Sequence, residues 1–330
     1  MKNRKTTILF IAAASVFILV LIAAISFGSV SFDLSQIIDG LTGKNATEKI
    51  IIRDIRLPRV LGSIVAGASL AAAGLILQCI TNNPLCAPNI VGINSGAGFV
   101  VMLILCFMPS VWAIIPFGAF AGALGTTLLI MAISFSGKFN KSGTTLVLSG
   151  IAVSSVLSAG ISFLSLKYPE ILSSYTAFSV GGFSGIQFRD IILPAFISLI
   201  SLVLLQIFAH KITLLSLGDE VATSLGLNIK RLRIIAIILS SALCASAVSF
   251  AGLLGFVGLI VPHISRKLMG NDIRKTLPFT VICGAALTTL SDLLGRVLFS
   301  PSELPAGIIM SLIGAPFFLY LLTVRRNKID

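Results

Sequence analysis

Uncharged apolar runs, bounded by charge, Gly or Pro, follow one another along nearly the whole chain. They lie at about 6–28, 58–80, 90–108, 112–135, 144–166, 190–209, 232–252, 256–268, 276–297 and 305–323. Roughly 20 apolar residues carry a helix across a bilayer. The pattern therefore predicts an all-α polytopic membrane protein of about ten transmembrane helices. The run at 256–268 is too short to cross upright alone and is expected to be broken or partly buried, which is tolerated where protein surrounds it. The first run follows Lys2, Arg4 and Lys5. It is longer than the roughly 7–15-residue core of a signal peptide, so it reads as a retained helix. No Pro- or Ser-rich linker intervenes, so residues 1–330 are expected to form one membrane domain.

Composition agrees. Of 330 residues, 56% are hydrophobic and 11% charged, with mean hydropathy +1.05. A soluble domain is about one-quarter charged, so a soluble enzyme is excluded. Disorder needs low hydrophobicity and is excluded too. The +12 net charge has two explanations: nucleic-acid binding, or basic loops on one membrane face. With the N-terminus inside, the inner segments hold Lys2, Arg4, Lys5, Lys138, Lys141, Lys211, Lys230, Arg231, Arg233, Arg266, Lys267, Arg274, Lys275, Arg325, Arg326 and Lys328. Only four acids accompany them: Asp219, Glu220, Asp272 and Asp330. The outer segments hold eight basic and eight acidic residues. The whole excess falls inside, so the charge reads as topology, with both termini cytoplasmic and no nucleic-acid partner.

One outer segment breaks the pattern. Residues 29–57, with Arg59 at the edge, carry five of the eight outer basic residues: Lys44, Lys49, Arg53, Arg56 and Arg59. A solvated loop and a docking surface for an acidic partner both fit.

The chain lacks the motifs of its own chemistry. No G-x-x-x-x-G-K-[ST], H-E-x-x-H or G-x-S-x-G occurs, so no ATP cradle, zinc-protease site or nucleophile elbow is expected. His210 and His263 lie far apart, and Cys79, Cys86, Cys106, Cys244 and Cys283 form no CxxC pair. These cysteines read as small hydrophobes and no metal site is expected. Intramembrane acids mark proton or ion paths. The clearest is Asp292, and Arg296 four residues on is placed to neutralise it on the helix surface. An ion-gradient-driven secondary transporter is thus the weaker reading. A transport subunit without enzymatic activity, powered from elsewhere, is the stronger one.

The segment Leu214–Asn228, LLSLGDEVATSLGLN, stands between two runs on the inner side. Ser216 is placed to cap a helix whose first turn holds Asp219 and Glu220, favourable at the positive end of the dipole. Gly226 suits a left-handed stop, and Leu217, Val221 and then Ser224–Leu225 make an apolar stripe one turn apart. A helix packed on the bundle and a helix seated in a partner's groove both fit.

The stretch Ser216–Arg233, SLGDEVATSLGLNIKRLR, resembles the cytoplasmic coupling loop of the FecCD-type permeases of ABC importers for iron-siderophores, haem and vitamin B12. Four more stretches agree, in family order: Arg56-Leu57-Pro58-Arg59; Gly74–Gly98, with Gln78 and Asn83-Pro84-Leu85; Ala251–Arg266, AGLLGFVGLIVPHISR; and Glu303–Phe318, ELPAGIIMSLIGAPFF. The resemblance covers nearly the whole chain and implies a type II importer permease fold. It implies that Gly218, Asp219, Glu220, Ala222, Leu225 and Gly226, within coupling helices at 214–228, insert into an ABC ATPase subunit dimer. That dimer would use the ATP, and this chain would bind no cofactor. The resemblance also implies that Arg56, Arg59 and Arg296 face outward and pair with acids of an extracytoplasmic substrate-binding lipoprotein, as the bidentate guanidinium fork allows. It implies a second permease copy or a sister permease in the cell membrane. A ferric siderophore is the leading substrate, with haem and vitamin B12 as alternatives.

Overall fold

A computed structural model gives the fold and describes residues 2–28, 30, 32–43, 45–88, 92–136 and 143–326. Lys44, Lys138, Lys141, Lys328 and Asp330 lie outside the described residues. The described chain is helical, without strands. In order the helices are α1 Lys2–Ser26, α2 Leu34–Thr42, α3 Ala46–Lys49, α4 Leu57–Ile80, α5 Ile93–Phe107, α6 Ile115–Ser136, α7 Gly143–Lys167, α8 Leu172–Val180, α9 Phe188–Leu215, α10 Asp219–Ser224, α11 Ile229–Ala251, α12 Val257–Met269, α13 Ile273–Val297 and α14 Ala306–Arg326.

Each apolar run is a helix, but helix length alone does not deliver ten spans. Seven of the described helical stretches are long and apolar enough to cross a bilayer. Two more, Ile93–Phe107 and Ala306–Tyr320, are shorter. The expected short helix is α12, with 13 residues.

The core forms around α4, which packs against α13, α11, α12 and α9. Its sequence explains this centrality. Gly62, Ala66, Gly67, Ala71, Ala72, Ala73 and Gly74 leave little side-chain bulk, and small residues let helix backbones approach closely. A methyl at Gly67 would strike the Gly284 carbonyl of α13, and one at Gly74 would strike the Gly258 carbonyl of α12. Hydroxyls tie the same seams: Thr288 Oγ1 donates to the Ser63 carbonyl at 2.7 Å, and Ser69 Oγ to Ser198 Oγ at 2.9 Å. The Gly118/Gly122 spacing in α6 serves α5 in the same way, with Gly122 against the Gly96 carbonyl and Gly118 against the Ile104 side chain.

By contrast, α7 leaves most of its surface exposed. Its exposed Ser155 and Ser162 donate to the Ile151 and Ser158 carbonyls of the same helix, at 2.9 and 3.0 Å.

Between α11 and α12 the backbone leaves the helix. Gly252 has φ +70° and Phe256 has φ +64°. The freed groups are satisfied within the protein, as non-helical backbone at membrane depth requires. Leu253 N–H donates to the Phe178 carbonyl (3.1 Å), Gly182 N–H to Ala251 (2.9 Å) and Gly307 N–H to Gly181 (3.2 Å). These bonds gather the ends of α8 and α11 and the start of α14 at one end of the bundle.

The segment 29–57 is not a simple loop. It contains α2 and α3, then a π-helical stretch Ile50–Arg56 that runs straight into α4.

Candidate functional site

Two groups of residues stand at opposite ends of the bundle. The first surrounds α10. Helix α9 runs on to Leu215, so Leu214 and Leu215 belong to it and not to a separate coupling helix. Ser216 does not cap α10. Its Oγ donates back to the Thr213 carbonyl at 2.6 Å, and Gly218, with φ +113°, occupies the N-cap position. The chain reverses there because glycine accepts that conformation. Eight residues later Gly226 has φ +78°. Its N–H bonds the Thr223 carbonyl at 2.9 Å and Leu227 N–H bonds Ala222 at 3.1 Å, closing the helix with a left-handed stop.

Ala222 is fully buried and faces the bundle. Leu217, Val221 and Leu225 are exposed. Asp219 and Glu220 sit in the first turn. Arg233, buried on α11, donates from Nη2 to Asp219 Oδ1 at 2.9 Å. Asn228 accepts from Arg231 N–H at 3.0 Å and caps α11. The result is a six-residue helix held at fixed pitch, with its apolar stripe outward.

Beside it lies a cavity of about 190 Å³ lined by Gln78, Asn82, Ser216, Arg266 and Asn271 among others. Gln78 is buried; Arg266 donates to its Oε1 at 2.5 Å, and its Nε2 donates to the Gly258 carbonyl at 3.3 Å. Thr81 and Asn82 end α4, Asn82 with φ +49°. The Asn82 side-chain amide lies 3.2 and 3.3 Å from the carbonyls of Cys79 and Ser216, and donates to both when its nitrogen is turned toward them. Asn82 thus bridges the end of α4 and the connection that leads to α10. Sequence reasoning singled out Gln78 by resemblance but missed both Asn82 and the Arg266 contact.

The second group lies at the far end of α4. Arg56, Arg59 and Arg296 are 5%, 6% and 3% exposed, so none is a solvated loop charge. Arg59 forks onto Asp292, with Nε to Oδ2 at 2.9 Å and Nη2 to Oδ1 at 2.9 Å. Its Nη1 donates to Glu303 Oε2 at 2.6 Å. Arg296 Nε lies 3.2 Å from Asp292 Oδ2, and its Nη2 donates to the Ala24 carbonyl at 3.1 Å. Arg56 Nη1 reaches the Ile25 and Ser26 carbonyls at 2.6 and 2.9 Å; its Nη2 bonds the Val30 carbonyl, and its guanidinium stacks 4.8 Å from the Phe32 ring.

Two of the three arginines therefore satisfy the last carbonyls of α1, which have no partner within their own helix. Cations suit that negative end of the dipole. The Asp292–Arg296 pair is a buried link and not the expected surface pair. Asp292 and Glu303 as partners of Arg59 were missed. They lie 233 and 244 positions away, and no local spacing reports such a contact.

His263 packs edge-on against Phe317 with ring centroids 6.3 Å apart. The five cysteines are free. Among the described residues no cluster of His, Cys, Asp or Glu is arranged to hold a metal.

Known proteins resemble this chain over its full length. The Fe(3+)-citrate import system permease proteins YfmE and YfmD of Bacillus subtilis (strain 168) are 37% and 38% identical. Each alignment covers 99% of this chain, with 98% and 97% of the relative. The hemin transport system permease protein HmuU of Yersinia pestis is 34% identical over 94% of this chain and 96% of its own. A solved ABC transporter structure, inward-facing and classed as metal-chelate type, superposes with TM-score 0.83 at 32% identity, covering 96% of this chain and 99% of that one. The FecCD transport family profile matches residues 16–324. With the motifs in order along the chain and the fold shared from end to end, this protein is a member of the FecCD transport family.

Proposed function

We propose that the chain is the membrane-spanning permease subunit of an ABC importer for an iron chelate, with a ferric siderophore as the leading substrate. The observation that carries this is α10: a short helix with an acidic first turn and an outward apolar stripe, at the end of the bundle where basic residues gather. That is the form of a helix seated in a partner's cleft. The partner is a separate ATPase subunit dimer, contacted through Gly218, Asp219, Glu220, Ala222, Leu225 and Gly226. Its closure on ATP moves α10 and, through Asn82, the end of α4. On this reading α10 and both termini are cytoplasmic, as the distribution of basic residues supports.

The opposite end faces an extracytoplasmic binding protein. Arg56, Arg59 and Arg296 serve that docking from within, since their guanidinium groups are buried and already engaged. A second copy of the chain or a sister permease completes the pathway. Relatives named for ferric citrate and for hemin make haem the second substrate reading. Ion-gradient coupling is disfavoured because Asp292, the clearest intramembrane acid, is engaged by two arginines within the protein.

Reconstitution tests the reading. The purified chain is expected to hydrolyse no ATP, and proteoliposomes should take up a ferric siderophore only with the ATPase, the binding protein and ATP. Uptake by this chain alone without ATP would overturn it. Uptake of haem but not of ferric siderophores would move the substrate to the second reading.

A further inference from the structure

The two carboxylates on Arg59 are not equivalent. The Asp292 side chain is 1% exposed and that of Glu303 is 31% exposed. Asp292 comes from within α13, whereas Glu303 lies on the connection to α14. Arg59 and Glu303 both line each of two cavities. One, of about 210 Å³, is lined by Ile55, Arg56, Arg59, Arg296 and Glu303 among others. The other, of about 330 Å³, is lined by Phe178, Gly182, Phe250, Glu303 and Pro305 among others. Three guanidinium groups meet two carboxylates here, so one cation exceeds the acids that face it.

We propose that Glu303 is an internal stand-in for a carboxylate of the extracytoplasmic partner, and that docking exchanges one for the other on Arg59 Nη1. This rests on the docking reading above and adds the residue that must leave. Exchange of like for like keeps the charge count at Arg59 constant. No bare ion is then left in a low-dielectric site, which would be the costly outcome. Glu303 is already at the rim and is released into water, while Asp292 stays and holds Arg59 in place.

The released residue is not isolated. Leu304 N–H bonds the Gly295 carbonyl at 3.0 Å, and Gly307 N–H bonds Gly181 at 3.2 Å. A displaced Glu303 therefore pulls on the start of α14 and on the end of α8, both of which border the larger cavity. Docking and the state of that cavity become linked through one side chain.

The test uses the assembled permease and ATPase in nanodiscs, titrated with the binding protein of the same transport system. Glu303→Gln keeps the side chain's shape and removes the competing charge. It is expected to tighten docking about threefold to tenfold, the range for one charge-assisted hydrogen bond at partial exposure. Asp54→Asn, an exposed acid at the same end, is expected to change affinity less than twofold (~0.4 kcal/mol). Equal tightening by both variants would reduce the effect to bulk charge and overturn the exchange. Unchanged or weaker docking by Glu303→Gln would overturn it as well. Arg59→Gln combined with Asp292→Asn removes the pair together and keeps both side chains polar, while Arg296 keeps its bond to the Ala24 carbonyl; an unchanged helical circular-dichroism signal and melting midpoint show that this variant is folded. Loss of docking there with no gain in Glu303→Gln leaves the docking reading and sinks the exchange. Undiminished docking in the double variant sinks both.

Discussion

Arg233 on α11 and Asp219 at the head of α10 form a hydrogen-bonded ion pair, with Nη2 at 2.9 and 3.3 Å from the two carboxylate oxygens. The arginine is buried and the aspartate half exposed. One end of the exposed helix is thereby fixed to a core helix, and a push on α10 reaches α11 without slack. Asp219→Asn weakens this tie at a cost of about 1 kcal/mol. Stimulation of the partner ATPase is expected to fall about threefold to tenfold, with the melting midpoint nearly unchanged. Full stimulation would show that the pair does not transmit force.

Gly226 sets the other end of the same helix. Proline fixes φ near −65°, against the +78° found here, and removes the N–H that bonds Thr223. Gly226→Pro is expected to abolish ATPase stimulation while the helical circular-dichroism signal of the spans persists. Glu220→Arg, which puts a cation at the positive end of the helix dipole, should do the same. Intact coupling in both variants would count against α10 as the contact.

The Arg59–Asp292 pair predicts non-additive stability. Removing one partner of a buried pair strands the other and costs about 3–5 kcal/mol. Asp292→Ala is therefore expected to lower the melting midpoint strongly. Arg59→Met with Asp292→Leu should recover part of the loss, because Arg59 is no longer stranded while Arg296 still loses its acid. A double variant no more stable than Asp292→Ala would assign the loss to packing instead.

Helix contact at Gly74 is testable by a single methyl. Gly74→Ala drives Cβ into the Gly258 carbonyl, and backbone must move; about 1–3 kcal/mol of destabilisation is expected from such overpacking. Gly125→Ala meets nothing within 4 Å and should be neutral or slightly stabilising. Thermal melts of the two purified variants make the comparison.

Asp272 gives a pH signature. It caps α13 by accepting the Arg274 N–H at 3.1 Å, and Arg274 Nε and Nη2 bond it at 3.0 and 2.9 Å. The hydrogen bond from the Arg274 side chain holds its carboxyl below the usual range. A lowered folded pKa means that the stabilisation is complete above the unfolded value of about 3.9 and is lost as pH falls through the folded value. Asp272→Asn should therefore melt below the parent at neutral pH, with the gap closing below about pH 4. A gap independent of pH would place the loss in the cap alone.

Much of this architecture could be read from the sequence. Apolar runs report helices wherever burial is set by the bilayer, so every run became a helix, and Gly226 marked its own turn. The expected count of about ten spans does not follow from helix length, because a helix such as α12 that protein surrounds need not match bilayer thickness. The arginines were identified as important, but their setting was not. Arg56 and Arg296 close the end of α1, and Arg59 holds two acids more than 200 positions away, relationships created only by packing. Ser216 illustrates the converse error: a serine before an acidic turn satisfies a capping rule, yet its hydroxyl finds a nearer acceptor on α9.

The serines of α7 have a consequence for whatever meets that helix. Ser155 and Ser162 already donate their hydroxyl hydrogen bonds to carbonyls four residues back in the same helix, a bond that Ser makes readily within a helix. What they present outward is a small, weakly interacting surface with few donors on offer. Whatever packs against α7 at these two positions meets a short side chain whose hydrogen is already engaged, set among the larger exposed side chains of Val156, Phe163 and Leu166.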